Sequence, residues 1–196
     1  MKKTLVLLSS FLAGSAFAQG TTHMFEFNAD SMIKGLVSID KSKTKGNNAD
    51  NNLQFDMNLN YAYQLPSMPQ LQLATRFNYN KGTTGGRGDF EDYGLAVGGI
   101  YNFNPGMSSV DLTNAMYISL YVGLGWNNNY TSPRSTDEVL SGTVAVGRRF
   151  SLEPIGLKHI TWSPEVAFQN LNSTTGSQLQ YSQSLQFRVL QFSAFF

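Results

Sequence analysis

Cysteine is absent from the 196 residues of the chain, and charged residues are scarce. The lack of cysteine excludes disulfides, thiol chemistry, cysteine-bound metals and a cysteine-linked lipid anchor from this sequence. Charged residues make up 14% of the chain, whereas typical soluble domains carry roughly 25%. Because 14 basic residues nearly balance 13 acidic ones, the composition gives no reason to expect a nucleic-acid partner. The shortage of charge indicates that much of the surface does not face water.

A long apolar run is also missing, and the clearest short one lies at the start of the chain. Residues 4–14 are largely apolar, follow the basic Lys2 and Lys3, and precede the small residues Ala16 and Ala18. This order is typical of a secretory signal peptide, and the run is shorter than the roughly 20 residues of a transmembrane helix. We therefore predict a cleaved signal peptide over residues 1–18 and a single exported domain over residues 19–196. Membrane insertion of that domain would have to use strands.

Strict alternation of apolar and polar residues dominates the exported part. Between Leu53 and Leu65 the odd-numbered positions are apolar or aromatic, and the even-numbered positions are polar apart from Ala62. A helix does not produce this pattern. Comparable alternation occurs in eight segments, residues 25–39, 53–65, 70–80, 93–103, 115–127, 138–150, 160–169 and 179–196. An even number of such segments joined by polar connectors predicts an all-β fold, an eight-stranded antiparallel up-and-down barrel.

Two positions depart from regular alternation. In the last segment the apolar face changes parity between Val189 and Leu190, which predicts a β-bulge there. Pro164 falls inside the seventh segment. Because proline has no N–H, it must occupy a bulge or a position without a ladder hydrogen bond.

Alternation alone does not say which face of the barrel meets solvent. A soluble lipocalin is also an eight-stranded barrel, with an apolar interior and a polar exterior. Two features favour the inverse arrangement. The polar face is rich in Gln, Asn, Ser, Gly and Ala rather than Lys and Glu, and aromatic residues lie at both ends of the apolar stripes. Aromatic girdles at the two interfaces are typical of a transmembrane barrel.

The last residues strengthen that interpretation. Leu190, Phe192 and Ala194 alternate before the terminal Phe196, an ending that resembles the terminal signal of bacterial outer-membrane proteins. Ala194 departs from it, since an aromatic is usual there, and so does Arg188, where an apolar residue is usual. In architecture the whole exported chain resembles the small OmpA/OmpX-type barrels. The resemblance implies a Gram-negative outer membrane, lipid and lipopolysaccharide around the barrel, and an assembly machinery that reads Leu190, Phe192 and Phe196.

An eight-stranded barrel has an interior just wide enough for side chains to fill. The charged residues predicted to point inward are Glu26, Asp30, Lys34, Asp56, Arg76, Arg149, Glu165 and Arg188. Burial of unpaired charge is costly, so we expect Asp56 to lie between Lys34 and Arg76, and Arg188 between Glu165 and Asp30. Such a network either gates a narrow pore or forms a packed polar core. Small inward residues between positions 94 and 147 either leave a cavity or make room for Tyr117, Tyr121 and the arginines.

Three functional classes remain open. They are a structural or surface-interaction barrel, a narrow channel for ions or small solutes, and a lipid A-modifying enzyme. The only histidines, His23 and His159, lie near one predicted rim, and His159 has no acidic neighbour in sequence, so we expect no enzyme activity. No motif predicts a cofactor or metal site. The structural or surface-interaction class is the prediction, with surface loops as the contact elements.

Overall fold

The structure is a computed structural model, and it describes residues 23–30, 53–84, 88–104, 111–130, 135–175 and 178–196. These residues form an all-β fold. The strands are β1 (His23–Asn28), β2 (Leu53–Leu65), β3 (Met68–Thr84), β4 (Gly88–Phe103), β5 (Met116–Asn129), β6 (Ser135–Arg148), β7 (Phe150–Ser151), β8 (Ile160–Trp162), β9 (Glu165–Thr175), β10 (Gln178–Arg188) and β11 (Gln191–Phe195), with a 3₁₀ turn at Glu153–Ile155. The predicted signal peptide, residues 1–18, lies outside the described residues. Within these ranges, no helix has the length and apolar character needed to cross a membrane.

One antiparallel sheet contains all of these strands, in the order β10-β9-β6-β5-β4-β3-β2-β1-β11-β8-β7. It curls strongly into a half-barrel. Long hairpins provide most of its ladders, and the β3–β4 pairing runs from Leu71 opposite Tyr101 to Thr84 opposite Gly88. These two strands extend beyond the predicted segments because polar residues continue the ladder past the end of the apolar stripe.

Short interruptions divide three of the predicted strands. Arg149 separates β6 from β7, Ser163 and Pro164 separate β8 from β9, and Val189 and Leu190 separate β10 from β11. Pro164 contributes its carbonyl oxygen, which accepts a hydrogen bond from the Arg148 N–H at 3.2 Å. On either side of Val189 and Leu190, Arg188 and Gln191 are both buried. The predicted parity shift is therefore confirmed, and so is the position of Pro164 outside the regular ladder.

The two faces of the sheet have opposite chemistry. Buried positions include Glu26, Gln72, Arg76, Asn102, Arg149, Glu165 and Arg188, whereas the outward positions are mostly apolar. On the outer face Leu95, Val97 and Leu120 are 56%, 60% and 57% exposed. The outward residues are neighbours across the ladders and form what we term the apolar belt: Leu73, Leu95, Val97, Leu120, Val122, Leu124, Leu140, Val144, Val166, Phe168, Leu185 and Phe187. This arrangement is the inverse of a soluble lipocalin.

Aromatic pairs lie toward both ends of the strands. At the end that carries the C-terminus, the rings of Phe150 and Trp162 stack with centroids 5.3 Å apart. Toward the other end, Tyr93 and Trp126 lie directly opposite each other with centroids 5.5 Å apart. The aliphatic part of the apolar belt lies between these two levels.

Candidate functional site

Inward-facing side chains meet on the concave side of the sheet, and the register decides which of them meet. Asn102 on β4 lies opposite Tyr117 on β5, which lies opposite Gly147 on β6. Gly147 in turn lies opposite Glu165 on β9, and Glu165 opposite Arg188 on β10. Five strands thus place one row of polar residues across the interior. The row is possible because each of these residues occupies a position on its strand that faces the concave side of the sheet.

Glu165 is the anion at the centre of this row. Its Oε1 lies 2.6 Å from Arg188 Nη1 and 3.9 Å from Arg76 Nη2, and its side chain is 1% exposed. Its Oε2 accepts a hydrogen bond from the Tyr117 hydroxyl at 3.0 Å. Arg188 also donates to Gln186 Oε1, at 2.9 Å from Nη2. One buried carboxylate therefore serves two guanidinium groups, and these three charges lock β3, β9 and β10 together.

Arg149 is buried without a carboxylate partner in the described part of the chain. Its Nη1 donates to Asn102 Oδ1, and its Nη2 donates to Gln72 Oε1 at 3.4 Å. The guanidinium carbon lies 4.6 Å from the centre of the Tyr117 ring and 5.4 Å from that of Phe195. Amide oxygens and aromatic faces thus surround this cation where a salt bridge was expected.

Glu26 is likewise held by neutral donors. Its Oε1 accepts from Asn60 Nδ2 at 3.1 Å and its Oε2 from the Ser193 hydroxyl at 3.0 Å. Asn60 also donates to the Tyr121 hydroxyl at 2.8 Å. Ser193 continues through a 2.8 Å contact to the Ser163 hydroxyl. The network therefore joins the first and last strands to β2, β5 and the break at Ser163.

The end of the lumen near the C-terminus is closed by large side chains. We call this layer the seal: Met24, Ile100, Leu112, Tyr117, Tyr121, Arg149 and Phe195, each 5% exposed or less. Leu112 comes from the turn between β4 and β5, and its carbonyl oxygen lies 3.5 Å from Arg149 Nη1. Apolar, aromatic and hydrogen-bonded groups together fill the cross-section. The seal therefore fills the concave side of the sheet at this end.

Asp111 organises the turn that carries Leu112. Its carboxylate accepts from the Thr113 N–H at 2.9 Å, the Thr113 hydroxyl at 2.7 Å and Asn114 Nδ2 at 2.8 Å. Partial burial by itself would raise the pKa of Asp111, but these hydrogen bonds outweigh it and hold that pKa below its ordinary value. The ionised carboxylate thus fixes the turn next to the seal.

Beyond the seal the lumen opens into a cavity of about 650 Å³. Its floor is formed by Arg76, Tyr121 and Arg188. Its polar wall and rim are formed by Asn28, Asp30, Asn58, Asn78, Asn80, Asp92, Asn127, Ser141, Thr143, Gln169 and Gln186. Small residues create the space, since Gly94 lies directly opposite Gly125. Of the two outcomes left open for the small residues, the cavity occurs here, whereas Tyr117 and Tyr121 take up the room in the seal.

Asp30 does not join the network as expected, and the predicted contacts of Lys34 and Asp56 are not tested. Asp30 accepts a hydrogen bond from the Leu190 N–H at 3.0 Å through Oδ1, and its Oδ2 has no partner among the described residues. Arg188 therefore contacts Glu165 but forms no ion pair with Asp30 in this part of the chain. Lys34 and the side chain of Asp56 lie outside the described residues, and the backbone of Asp56 lies opposite Asn80. The predicted cluster of Asp56, Lys34 and Arg76 stays a prediction.

Sequence reasoning missed the neutral half of the network. Asn60, Gln72 and Asn102 bind the buried charges, and Tyr117 and Tyr121 bridge them. Their inward parity was readable from the alternation. Formal charge does not identify polar amides as members of such a network, and it indicated Tyr117 and Tyr121 only as inward side chains for which small residues make room. Asp92 was missed for a different reason, because it lies one position before the predicted fourth segment.

Neither the two histidines nor any group of candidate metal ligands among the described residues forms a second functional site. His23 Nδ1 lies 2.7 Å from the Tyr61 hydroxyl, and its ring stacks on Phe196 with centroids 5.7 Å apart. His159 lies in an exposed turn at a positive φ of 61°, and its carbonyl oxygen accepts the Phe195 N–H at 2.8 Å. Across the described ranges, no group of three or more candidate ligand residues is placed to hold a metal ion. The polar network and the cavity on the concave side of the sheet are therefore the candidate functional site.

Comparison with protein-family models gives no match for this chain, and neither does comparison with curated proteins.

Proposed function

We propose that the chain is a bacterial outer-membrane barrel of eight strands, with a sealed lumen and a structural or surface-interaction role. The observation that carries the proposal is the inversion of the two faces. Leucines and valines of the apolar belt point outward and are about half exposed, while Arg149 and Glu165 are buried. Soluble monomers rarely expose a continuous apolar surface of this extent. Hydrocarbon would cover the belt, as it does on a transmembrane barrel.

The ladder pattern supports closure by eight strands. β10 pairs with β9, β11 pairs with β1, and only Val189 and Leu190 separate β10 from β11. If β6 and β7, β8 and β9, and β10 and β11 are each one interrupted strand, eleven strands become eight. The last of them then pairs with both the seventh and the first. A closed circuit would satisfy the backbone groups of every strand, which a lipid environment requires.

The same proposal assigns roles to the two chain ends. Residues 1–18 would direct export and be removed, and the assembly machinery would read Leu190, Phe192 and Phe196, as in the OmpA/OmpX-type barrels that the sequence resembles. Phe196 is tied into the fold, since its N–H donates to the His23 carbonyl and its carbonyl accepts the His23 N–H, both at 3.0 Å. Outer-membrane lipid and lipopolysaccharide would surround the apolar belt.

The seal supports a barrel that does not conduct. Tyr117, Tyr121 and Arg149 are each 1% exposed and cross-linked by the polar network. A conducting path would have to displace several of them together and break the hydrogen bonds that hold them. No observation in the described residues favours the lipid A-modifying enzyme.

The outward face gives the sharpest test. Leu120→Arg places a charge at the middle of β5 on the apolar belt, whereas Ile155→Arg places one in the exposed 3₁₀ turn. In a bilayer Leu120→Arg should lower the free energy of unfolding by about 2–4 kcal/mol, and Ile155→Arg by about 1 kcal/mol or less. Urea unfolding of the refolded chain in lipid vesicles measures both. Equal, small effects from the two variants, or a wild-type chain that stays soluble without detergent, would reject the membrane proposal.

Planar-bilayer recording separates the sealed barrel from a channel. We expect no steady unit conductance from the purified, refolded protein. A stable conductance that is altered by Arg149→Gln would instead support the narrow channel, because Arg149 lies within the seal.

A further inference from the structure

The cavity ends on a cation that shares its nearest anion among the described residues with a second cation. Arg76 is 4% exposed, and its Nη2 lies 3.9 Å from a Glu165 oxygen that is already 2.6 Å from Arg188. Its Nε has no hydrogen-bond partner among the residues that the structure describes. Its guanidinium carbon lies 4.1 Å from the centre of the Tyr121 ring. This contact uses the face of the guanidinium group, so the ring accepts no hydrogen bond from the N–H groups in its plane. Although Nε is itself buried, Arg76 lines the cavity floor and shares one carboxylate with Arg188, so its guanidinium can bind a further anionic group there.

Above this floor the cavity wall is neutral and combines polar side chains with the apolar Val139 and Leu171. Asn28, Asn58 and Asn78 lie opposite one another on β1, β2 and β3 and form a row of amides. Ser141 and Thr143 add hydroxyl groups from β6. Each amide offers two N–H donors and a carbonyl acceptor, and each hydroxyl can donate and accept. Such a wall matches a ligand that carries many hydroxyl groups.

The rim has the opposite charge to the floor. Asp30 and Asp92 line the cavity. Asp30 lies four residues beyond Glu26, and Asp92 lies four residues from Ala96, the residue opposite Arg76. A polyanion would be repelled by these carboxylates, and a cation would be repelled by the floor. A neutral polyol would leave the donors of Arg76 unused. The charge gradient therefore fits a molecule with one carboxylate at its inner end and hydroxyl groups along the rest.

We propose that the cavity binds a sugar acid, with its carboxylate on Arg76 and its hydroxyl groups on the row of Asn58 and Asn78. The cavity volume of about 650 Å³ lies within the range of about 300–1,000 Å³ of small-molecule sites. This inference goes beyond the proposed function and does not depend on membrane insertion, since every residue that it uses faces the lumen. It gives the outer half of the barrel a ligand-binding role.

Calorimetric titration of the folded full chain in detergent micelles tests the proposal, with D-glucuronate as the probe. D-glucose has similar hydroxyl groups without the carboxylate, and inorganic phosphate is an anion without the hydroxyl-rich ring. We expect saturable binding of glucuronate, about tenfold or more tighter than that of either control. Absence of saturable binding, or equal affinity for glucose, would overturn the proposal. Equal affinity for phosphate would overturn the sugar specificity and leave a simple anion site.

Two substitutions locate the binding, and a third serves as a matched control. Arg76→Gln removes the floor charge and should weaken glucuronate binding by about tenfold or more while leaving glucose unaffected. Asn78→Leu removes an amide from the cavity wall and leaves the charged side chains unchanged. This substitution should weaken glucuronate binding by about fivefold. Gln183→Leu makes the same type of change on the outward face of β10 and should have no effect. If Arg76→Gln does not fold, the glucuronate affinities of Asn78→Leu and Gln183→Leu can still be compared, and that comparison tests the proposal. Equal affinities in those two variants would place the ligand elsewhere.

Discussion

The sealed half and the cavity half of the lumen are built from the same strands but pair their residues differently. In the seal, a small residue lies opposite a large one, with Gly98 opposite Tyr121 and Gly147 opposite Tyr117. In the cavity, Gly94 lies opposite Gly125, so that small faces small. The comparison shows how one strand pair, β4 and β5, closes the lumen at one level and opens it four residues further along.

The two halves also differ in what their polar groups bind. In the sealed half, Glu26, Arg149 and Glu165 bind mainly other side chains of the sheet, although Nε of Arg149 has no partner among the described residues. In the cavity, Arg76 shares the Glu165 carboxylate with Arg188, and the asparagine row faces open space. Hydrogen bonds between neighbouring buried side chains favour one packing, whereas polar side chains that line open space can bind a ligand. We infer that the seal stabilises the fold, and the sugar-acid site that we propose would lie in the cavity.

The largest expected effect comes from removing the central anion of the sealed half. Glu165→Gln keeps the shape of the side chain but leaves Arg76 and Arg188 buried without a counter-charge. Breaking a buried ion pair in this way should lower the free energy of unfolding by about 3–5 kcal/mol. Urea unfolding in detergent micelles measures the change.

Asp92→Asn is the matched control in the cavity half, because Asp92 is a half-exposed carboxylate at the rim. We expect Asp92→Asn to lower the free energy of unfolding by about 1 kcal/mol or less. Similar losses from Glu165→Gln and Asp92→Asn would mean that the two halves do not differ in energetic importance.

A smaller effect should come from filling the space beside a glycine. A Cβ at Gly98 would collide with the Leu120 carbonyl oxygen and lie 2.8 Å from Cδ1 of Tyr121. A Cβ at Gly94 would come no closer than 3.3 Å to any of its neighbours. Because backbone cannot move aside as a flexible side chain can, Gly98→Ala should cost about 1–3 kcal/mol and Gly94→Ala about 1 kcal/mol or less. Thermal unfolding of the two variants side by side measures the difference, and its absence would contradict the close packing of the seal.

How far the sequence predicts this architecture depends on the kind of information needed. Alternation gives the side on which each residue lies, and it placed Arg76, Arg149, Glu165 and Arg188 inward, where the structure has them. Alternation also located the break at Val189. The apolar positions change there from odd to even residue numbers, and this change can be read from the sequence of that segment alone. These properties follow from the local geometry of a strand, in which successive side chains point to opposite faces.

Partners across the lumen could not be predicted in the same way. They depend on the stagger between strands, which no single segment contains. No partner of Arg149 could be named from the sequence, and it binds Asn102 and Gln72, which reach it from β4 and β3. Asp30 was expected beside Arg188, but it binds the backbone N–H exposed by the break at Leu190. Formal charge is thus a poor guide to a buried polar network when amides can satisfy the same groups.

The smallest effect expected concerns the turn that supplies Leu112 to the seal. Since the pKa of Asp111 is lower in the folded chain than in the unfolded one, its contribution to stability is complete above the ordinary Asp pKa of about 3.9. That contribution is lost as the pH falls through the lower, folded pKa. Asp111→Asn should therefore be less stable than the wild type near pH 6, and the gap should narrow as the pH approaches 3.

Unfolding midpoints of the wild type and Asp111→Asn across this pH range measure the gap. Gly94→Ala serves as the control, because it changes no titratable group, and its own gap from the wild type should stay constant with pH. If the Asp111→Asn gap is equally constant, the ionised carboxylate does not hold the turn. Leu112 would then be kept in the seal by packing against its buried neighbours, and the rigidity of the sealed half would not depend on the loop that covers it.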